Sequence, residues 1–323
     1  MAESALLRVR KLNTEFLIPE KGAARALEDI SFDLHPGETL GLVGESGCGK
    51  TTALMSILRL LPANARISGQ VLFKGVDLMT LSEKDMRAYR WRELAIVFQG
   101  AMNALNPVMR VGEQIREAII LHRLMSAREA EARVGELLEL VGIPKERGAQ
   151  YPFQYSGGMR QRVMIAMALA CSPSILFADE PTTALDVMVQ AQVLELLNDI
   201  QQQLGLAIVL VTHDLGVVAE MCDTVVVMYG GKVAEYGPVD VIFNDPQHPY
   251  TQKLLESFPD LNAPTNALAS IPGAPPRLTE IPPGCRFAPR CHLRMEKCGS
   301  ESPPLVEVGE SHLAACHLLI DIL

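Results

Sequence analysis

Gly44-Glu45-Ser46-Gly47-Cys48-Gly49-Lys50-Thr51 fits the spacing GxxxxGK[ST] in full. A glycine-rich turn of this length lets the backbone wrap closely, so that its N–H groups point at phosphate oxygens. A helix opening at Lys50 adds its positive end to the same anion. The pattern assigns Lys50 to the β- and γ-phosphates of a nucleotide and Thr51 to the accompanying Mg²⁺. Gly44, Ser46, Gly47, Gly49 and Thr52 complete the expected cradle. Far along the chain, Ile175-Leu176-Phe177-Ala178 runs into Asp179-Glu180. An apolar strand there delivers two carboxylates at its C-terminal end, where α/β proteins bind ligands. Asp179 is placed to hold Mg²⁺ through water and Glu180 to polarise an attacking water.

These groups need a scaffold, and the flanking sequence supplies one. Thr39 to Val43 (TLGLV) reads as a buried strand leading into the glycine turn. Lys50 to Leu61 reads as an apolar helix stopped by Pro62. Gly69 to Leu78 alternates around Lys74-Gly75 and predicts a hairpin. The middle third turns helical, with Val111 to His122 and then Ser126 to Val141. The second helix opens on a capping box of Ser126 and Glu129 and stops at Gly142. Buried runs return at Ile175 to Ala178, Leu206 to Thr212 and Thr224 to Tyr229. Between the first two lies a helix with Val189, Val193, Leu197, Ile200 and Leu204 on one face, closed by Gly205. Strands separated by helices imply an α/β fold with a mostly parallel sheet, split in sequence by a helical insert. From about Asp245 onward proline is frequent (Pro246, Pro249, Pro272, Pro275, Pro276, Pro282, Pro283). That predicts an irregular extension with little sheet of its own.

Composition narrows the class. The chain has 323 residues and a net charge of −9, which argues against a general nucleic-acid binder. Hydrophobic residues make up 48%, too many for a disordered chain. No stretch approaches the roughly 18–20 apolar residues that cross a bilayer. The opening MAESALLRVRKLNTEF lacks the apolar run of a secretory signal. The expectation is a chain soluble by itself, in the cytosol, that can dock on a membrane partner.

Tyr155-Ser156-Gly157-Gly158-Met159-Arg160-Gln161-Arg162 separates this chain from other nucleotide hydrolases. It opens a long apolar helix just before the Asp179 strand. Here the sequence resembles the ATP-binding-cassette (ABC) ATPases, whose signature is close to LSGGQ. Gln99, after the apolar AIVFQ, matches the position of the Q-loop. Ala184-Leu185-Asp186 resembles the D-loop, and His213 ends a strand as the switch histidine does. Phe16 is the candidate aromatic for stacking on adenine. The resemblance implies an ABC-type P-loop core with a helical signature subdomain and an irregular C-terminal extension. It implies catalysis by Glu180, His213 and Gln99, and Mg²⁺ held by Thr51, Gln99 and Asp179. It further implies that Ser156, Gly157, Gly158 and Asp186 serve ATP held by a partner's P-loop, so that two subunits clamp on the nucleotide. Tyr155 and Met159 depart from the signature, and Gly100-Ala101 after Gln99 departs from the usual loop.

Within that family, ILRLLP (Ile57 to Pro62), LNPVMRVGEQI (Leu105 to Ile115), SGGMRQRVMIAMALAC (Ser156 to Cys171) and NDPQHPYTQKLL (Asn244 to Leu255) resemble the ATPase subunits of dipeptide/oligopeptide importers. The resemblance implies a nucleotide-binding domain over residues 1–244, its helical subdomain at about 100–170, and an oligopeptide-type extension over 245–323. It implies a groove in the helical insert for a coupling helix. The implied partners are a second, different ATPase subunit, two transmembrane permease subunits and an extracytoplasmic solute-binding protein, with no nucleic acid. The implied location is the cytoplasmic face of the inner membrane. The branch also carries nickel, glutathione and oligosaccharides. A soluble ABC ATPase outside transport is the alternative, but it would need paired cassettes, coiled coils or basic arms.

Cys285, Cys291, Cys298 and Cys316 put four thiols within 32 residues. Arg286, Arg290, Arg294 and Lys297 lie among the first three against a single nearby acid, Glu296, and read as a basic collar for an anionic centre. The segment resembles that of oligopeptide-branch ATPase subunits, some of which carry a [4Fe–4S] cluster here, so the resemblance implies such a cluster on Cys285, Cys291, Cys298 and Cys316. Zinc, with help from His292, His312 or His317, is a second reading weakened by the absence of C-x2-C spacing. Reduced structural thiols are a third.

Overall fold

A computed structural model describes residues 5–19, 22–100, 104–183, 185–257, 271–277 and 280–320. They fall into two compact units, one of Met1–His35, Thr39–Met79 and Val211–Leu323, the other of Pro36–Glu38 and Thr80–Leu210. The described part of the C-terminal extension lies in the first unit.

The first unit holds an antiparallel sheet in the order Gly22–Leu34, Leu7–Ile18, Ala65–Phe73, Val76–Asp77. Leu7, Val9, Leu12 and Thr14 are buried along one strand. The hairpin expected at Lys74-Gly75 is present, with φ 48° and 82° at the two turn residues. Positive φ at both matches the twist of the flanking strands. A second set of strands in this unit runs Val306–Gly309, His312–Ala314, Lys232–Pro238, Thr224–Tyr229, Thr39–Val43. Thr39–Val43 is buried throughout and pairs parallel with Thr224–Tyr229, Leu40 opposite Thr224 and Val43 opposite Val227. Burial on both faces explains why these strands read as continuous apolar runs.

The extension carries little sheet, as its prolines predict, and what sheet it has is short. Val306–Gly309 and His312–Ala314 form a hairpin, and the second strand pairs with Lys232–Pro238 at Glu235↔Ala314 and Tyr236↔Leu313. A strand edge that would template foreign pairing is covered by the chain's own tail. Ahead of the hairpin, Pro249–Glu256 forms a helix with proline in its first turn, where no N–H is needed. Glu235 ties these pieces together. It is fully buried, accepts the N–H groups of Gln247 and His248 at 2.6 and 3.0 Å, and lies 2.8 Å from His312 Nε2. A buried carboxylate is tolerated only with such partners. Tyr229, Tyr250 and Phe287 pack mutually, with ring centroids 4.6 to 5.4 Å apart.

In the second unit the strands neighbour one another in the order Ala207–Val211, Ile175–Asp179, Leu94–Val97. Leu94 lies opposite Ile175 and Val97 opposite Ala178, in parallel register. The helices are Glu83–Tyr89, Val111–Leu121, Ala127–Leu140, Gly157–Ala168 and Val187–Leu204. Ser126 caps the third as its sequence predicts, and Gly205 ends the last at φ 60°. Val193, Leu197 and Ile200 form that last helix's buried face, while Leu204 is exposed. Among the described residues no helix is long and apolar enough to cross a membrane.

His248 caps the Pro249–Glu256 helix, its Nδ1 accepting the Tyr250 N–H at 3.0 Å. Burial holds this imidazole down to about 4, against a hydrogen bond to the Ala315 backbone that pulls upward. The folded form stays neutral where the unfolded form takes a proton near 6.5. Stability from this group is therefore complete above about pH 6.5 and falls away toward pH 4, by an amount on the order of a few kcal/mol. His248→Asn keeps a capping acceptor and removes the titration. Denaturant midpoints followed from pH 7 to 4 should fall less in the variant than in the parent. Parallel profiles would contradict this.

Candidate functional site

In the first unit, the strand Thr39–Val43 delivers the glycine turn. Gly44 has φ 142°, Gly47 78° and Gly49 107°. A Cβ at Gly44 would lie 2.2 Å from the Met228 carbonyl oxygen, and one at Gly49 would lie 2.8 Å from Leu27 Cδ2. The loop thus needs glycine both for its dihedrals and for its closeness to the neighbouring backbone. The helix Lys50–Ile57 begins at Gly49 with no side-chain hydrogen bond capping it. Lys50 is buried, and its Nζ donates to the carbonyls of Gly44 at 2.7 Å and Glu45 at 3.1 Å. Ser46, Gly47 and Thr51 are exposed, and Thr52 is half-buried on the same turn. Phe16 lies half-buried on strand Leu7–Ile18, opposite Ala24 and Ala65. His213 is exposed and precedes Asp214, whose carboxylate caps the helix Leu215–Met221.

In the second unit, Asp179 ends its strand at 2% exposure. Glu180 follows at φ 45°, a left-handed conformation that a non-glycine residue adopts only when its surroundings hold it there. Its Oε2 accepts from Gln99 Nε2 at 2.5 Å and from Thr183 Oγ1 at 2.9 Å. Gln99 and Glu180, 81 positions apart, are thus joined directly. Thr183 carries no motif of its own in the sequence, and nothing but its place after Glu180-Pro181 points to it. Ser156 caps the helix Gly157–Ala168, its Oγ accepting the Met159 N–H at 3.3 Å. A Cβ at Gly158 would sit 2.4 Å from Val189 Cγ1, so the helix behind Asp186 packs where only glycine leaves room. Asp186 itself caps that helix through the Val189 N–H at 3.0 Å. Ala101 and Ala184 lie outside the described residues.

The two departures from the signature have one physical explanation. The Tyr155 hydroxyl donates to the Arg147 carbonyl at 2.7 Å, and the Arg147 guanidinium lies 5.0 Å from the Tyr155 ring centroid. Arg147 Nη1 also donates to the Met159 sulfur at 3.5 Å. Tyr155 and Met159 together fix Arg147 behind the signature turn.

Two of the four members of the expected basic collar, Arg286 and Arg290, are committed away from the tail thiols. Arg286 donates to the Gly230 carbonyl and pairs with Glu28, and Arg290 forks onto Glu45 of the glycine turn. Their charges are spent on carboxylates from earlier in the chain, which local composition could not reveal. Burial opposes ionisation at Glu28, yet Lys232, Arg286 and Arg25 pull it down to about 2. Cys285, Cys291, Cys298 and Cys316 do converge, lining one small pocket with Phe287, Ala288, Leu293 and Leu318. Burial pushes Cys285 and Cys291 up and Cys316 to about 11. Among the described residues no group of three or more His, Cys, Asp or Glu side chains is arranged to hold a metal ion. The histidines offered for zinc are partly committed elsewhere, His312 to Glu235 and His317 to the Glu301 carbonyl.

Comparison with known proteins finds the ABC transporter family model over residues 27–183 and the C-terminal region of oligopeptide/dipeptide transporters over residues 234–298. The dipeptide transport ATP-binding protein DppD of Bacillus subtilis is 49% identical over 317 residues, spanning 97% of this chain and 94% of that protein. The chain belongs to the ABC transporter ATPases. The oligopeptide transport ATP-binding protein OppD of Escherichia coli is 47% identical over 97% of this chain and 93% of its own length. Among solved structures, the dimeric bacterial cassette MJ0796 matches with a TM-score of 0.64 at 28% identity, over 72% of this chain and 98% of that one. CbiO1 of Clostridium perfringens matches with the same score at 30% identity, over 75% and 92%. The α/β cassette expected from the sequence is therefore the fold of this ABC ATPase.

Gly44→Ala should strain the loop by about 1–3 kcal/mol and abolish retention on immobilised ATP. The melting temperature should fall by several degrees, on the order of 2–4 °C per kcal/mol. Unchanged ATP retention would show that the loop tolerates a Cβ against Met228.

Proposed function

We propose that this ABC ATPase hydrolyses ATP to power import of dipeptides or oligopeptides through a membrane permease. The observation that carries the hydrolytic half is the Glu180 carboxylate, held at an unusual backbone angle by Gln99 and Thr183 beside buried Asp179. The peptide half rests on the relatives named for dipeptide and oligopeptide transport and on the match over residues 234–298.

In this reading the N–H groups of Gly44 to Gly49, Lys50, Thr51 and Thr52 hold the phosphates, and Phe16 stacks on the adenine. Thr51, Asp179 and Gln99 would hold Mg²⁺, which would neutralise phosphate charge. Glu180 takes the proton of the attacking water, and His213 orients the γ-phosphate. Ser156, Gly157, Gly158 and Asp186 act on nucleotide bound to a second subunit, because a capped helix N-terminus with a serine hydroxyl suits an anion. The working assembly is a pair of different ATPase subunits on two permease subunits, fed by an extracytoplasmic solute-binding protein, at the cytoplasmic face of the membrane. Residues 1–244 form the motor, with its helical subdomain at about 100–170 docking the permease. Residues 245–323 form the oligopeptide-type C-terminal extension that carries the cysteine cluster.

We also read the tail thiols as a site for a [4Fe–4S] cluster held by Cys285, Cys291, Cys298 and Cys316. Convergence of four thiols, two buried and two half-buried, on one pocket supports a four-thiolate centre. The absence of C-x2-C spacing weighs against zinc, while the lack among the described residues of a group arranged to hold a metal ion counts against either centre. The role is structural, since no redox substrate site adjoins it.

Glu180→Gln should retain ATP binding, lower turnover about 100-fold or more, and accumulate an ATP-bound dimer on gel filtration. Full steady-state turnover would remove Glu180 as the base. Protein purified without oxygen should be brown, with iron and labile sulfide both at about four per chain. Colourless, iron-free protein with an unchanged melting temperature would refute the cluster.

A further inference from the structure

The glycine turn is gripped from the C-terminal extension at one residue, Glu45. Its carboxylate receives a two-pronged bond from Arg290, Nη1 to Oε2 at 2.5 Å and Nη2 to Oε1 at 2.9 Å. Its backbone N–H donates to the Tyr250 hydroxyl at 3.0 Å. Its carbonyl accepts from Lys50 Nζ at 3.1 Å. All three polar groups of Glu45 are therefore held, two of them by residues more than 200 positions away.

Arg290 is built for this task. Its remaining donors reach the Pro272 carbonyl at 2.8 Å, the Ile271 carbonyl at 3.0 Å and the Tyr229 hydroxyl at 3.2 Å. Every one of its five N–H groups thus has an acceptor, and the side chain is 5% exposed. A guanidinium so committed cannot swing away, and its planar fork fixes both oxygens of the carboxylate. Tyr250 is fully buried, edged by Tyr229 and Phe287, so its hydroxyl is equally fixed.

We propose that Arg290 and Tyr250 are positioning residues for ATP, holding the glycine loop at Glu45 so that phosphate affinity depends on the C-terminal extension. This rests on the reading of Gly44–Thr51 as the phosphate site. Two effects act together. The grip fixes the direction of the backbone entering Ser46, Gly47 and Gly49, whose N–H groups must aim at phosphate. The Arg290 charge also cancels a carboxylate that would otherwise stand unpaired beside a polyanion. Residues of the extension that never touch the nucleotide therefore set its affinity.

The two effects give a signature that loss of structure alone does not produce. In Arg290→Ala the Glu45 carboxylate is left unpaired, so MgATP should bind about tenfold or more weaker, with ADP weakened less. Adding Glu45→Ala to Arg290→Ala should then restore much of the affinity, although it deletes a second side chain. Tyr250→Phe keeps the ring packing and removes one acceptor. It should raise the KM for ATP a few-fold, with kcat at saturating ATP within about twofold. The experiment measures binding of MgATP and MgADP to the full-length chain by fluorescent-nucleotide displacement, with melting temperatures alongside and Lys50→Ala as the control. Equal ATP affinity in wild type, Arg290→Ala and Tyr250→Phe would overturn the inference. So would a double variant weaker than Arg290→Ala. If Arg290→Ala does not fold, Tyr250→Phe decides, an unchanged KM being the negative result. A wild type that binds ATP no better than Lys50→Ala would instead remove the phosphate-site reading itself.

Discussion

The charge of a nucleotide's phosphates is the constraint on which this structure depends. Backbone N–H groups can meet that charge only where the chain approaches without a Cβ in the way, and Gly44 shows how little room there is. At φ 142°, with a Cβ that would lie 2.2 Å from the Met228 carbonyl oxygen, it follows the strand Thr39–Val43 against its parallel neighbour Thr224–Tyr229. Burial of Thr39–Val43 and Thr224–Tyr229 fixes both walls. Flexibility at the turn is thus not freedom but fit, since the glycine dihedrals are those that the strand spacing demands.

The same demand explains why the C-terminal region is tied so firmly to the rest of its unit. Glu235 binds the segment before helix Pro249–Glu256 and the tail hairpin to one strand through three hydrogen-bonding partners. Tyr229, Tyr250 and Phe287 fill the space between that strand and the thiol pocket. Cys285 and Cys291 pack against this same core. The extension is therefore a wall of the nucleotide-binding unit and not a loose appendage.

The chemistry was legible where it is local. The spacing from Gly44 to Thr51, the carboxylate pair at Asp179-Glu180 and the caps at Ser126 and Gly205 each follow from neighbouring residues whose geometry is short-range. What escaped was long-range. The arginines of the tail read as a collar for the thiols, because sequence shows only their nearest neighbours, whereas their carboxylates come from Glu28 and Glu45. The short strands Val306–Gly309 and His312–Ala314 were hidden because a four-residue alternation among prolines is too brief to register as sheet. Tyr155 and Met159 read as departures from the signature, and their shared partner Arg147 explains both. Thr183 was missed because a threonine after a proline has no pattern until its carboxylate partner is in place.

The chain offers two anion-seeking helix ends, one behind Gly49 and one behind Ser156, yet carries one glycine loop. In the function proposed above, the Ser156 end of one subunit completes the pocket of another before water attacks. Turnover per chain, measured across a thousandfold range of protein concentration with and without the second ATPase subunit, tests this directly. Activity per chain should fall away on dilution as subunits separate, and return when the partner is supplied. A monomer, verified by light scattering, that turns over ATP at the same rate at every concentration would contradict it.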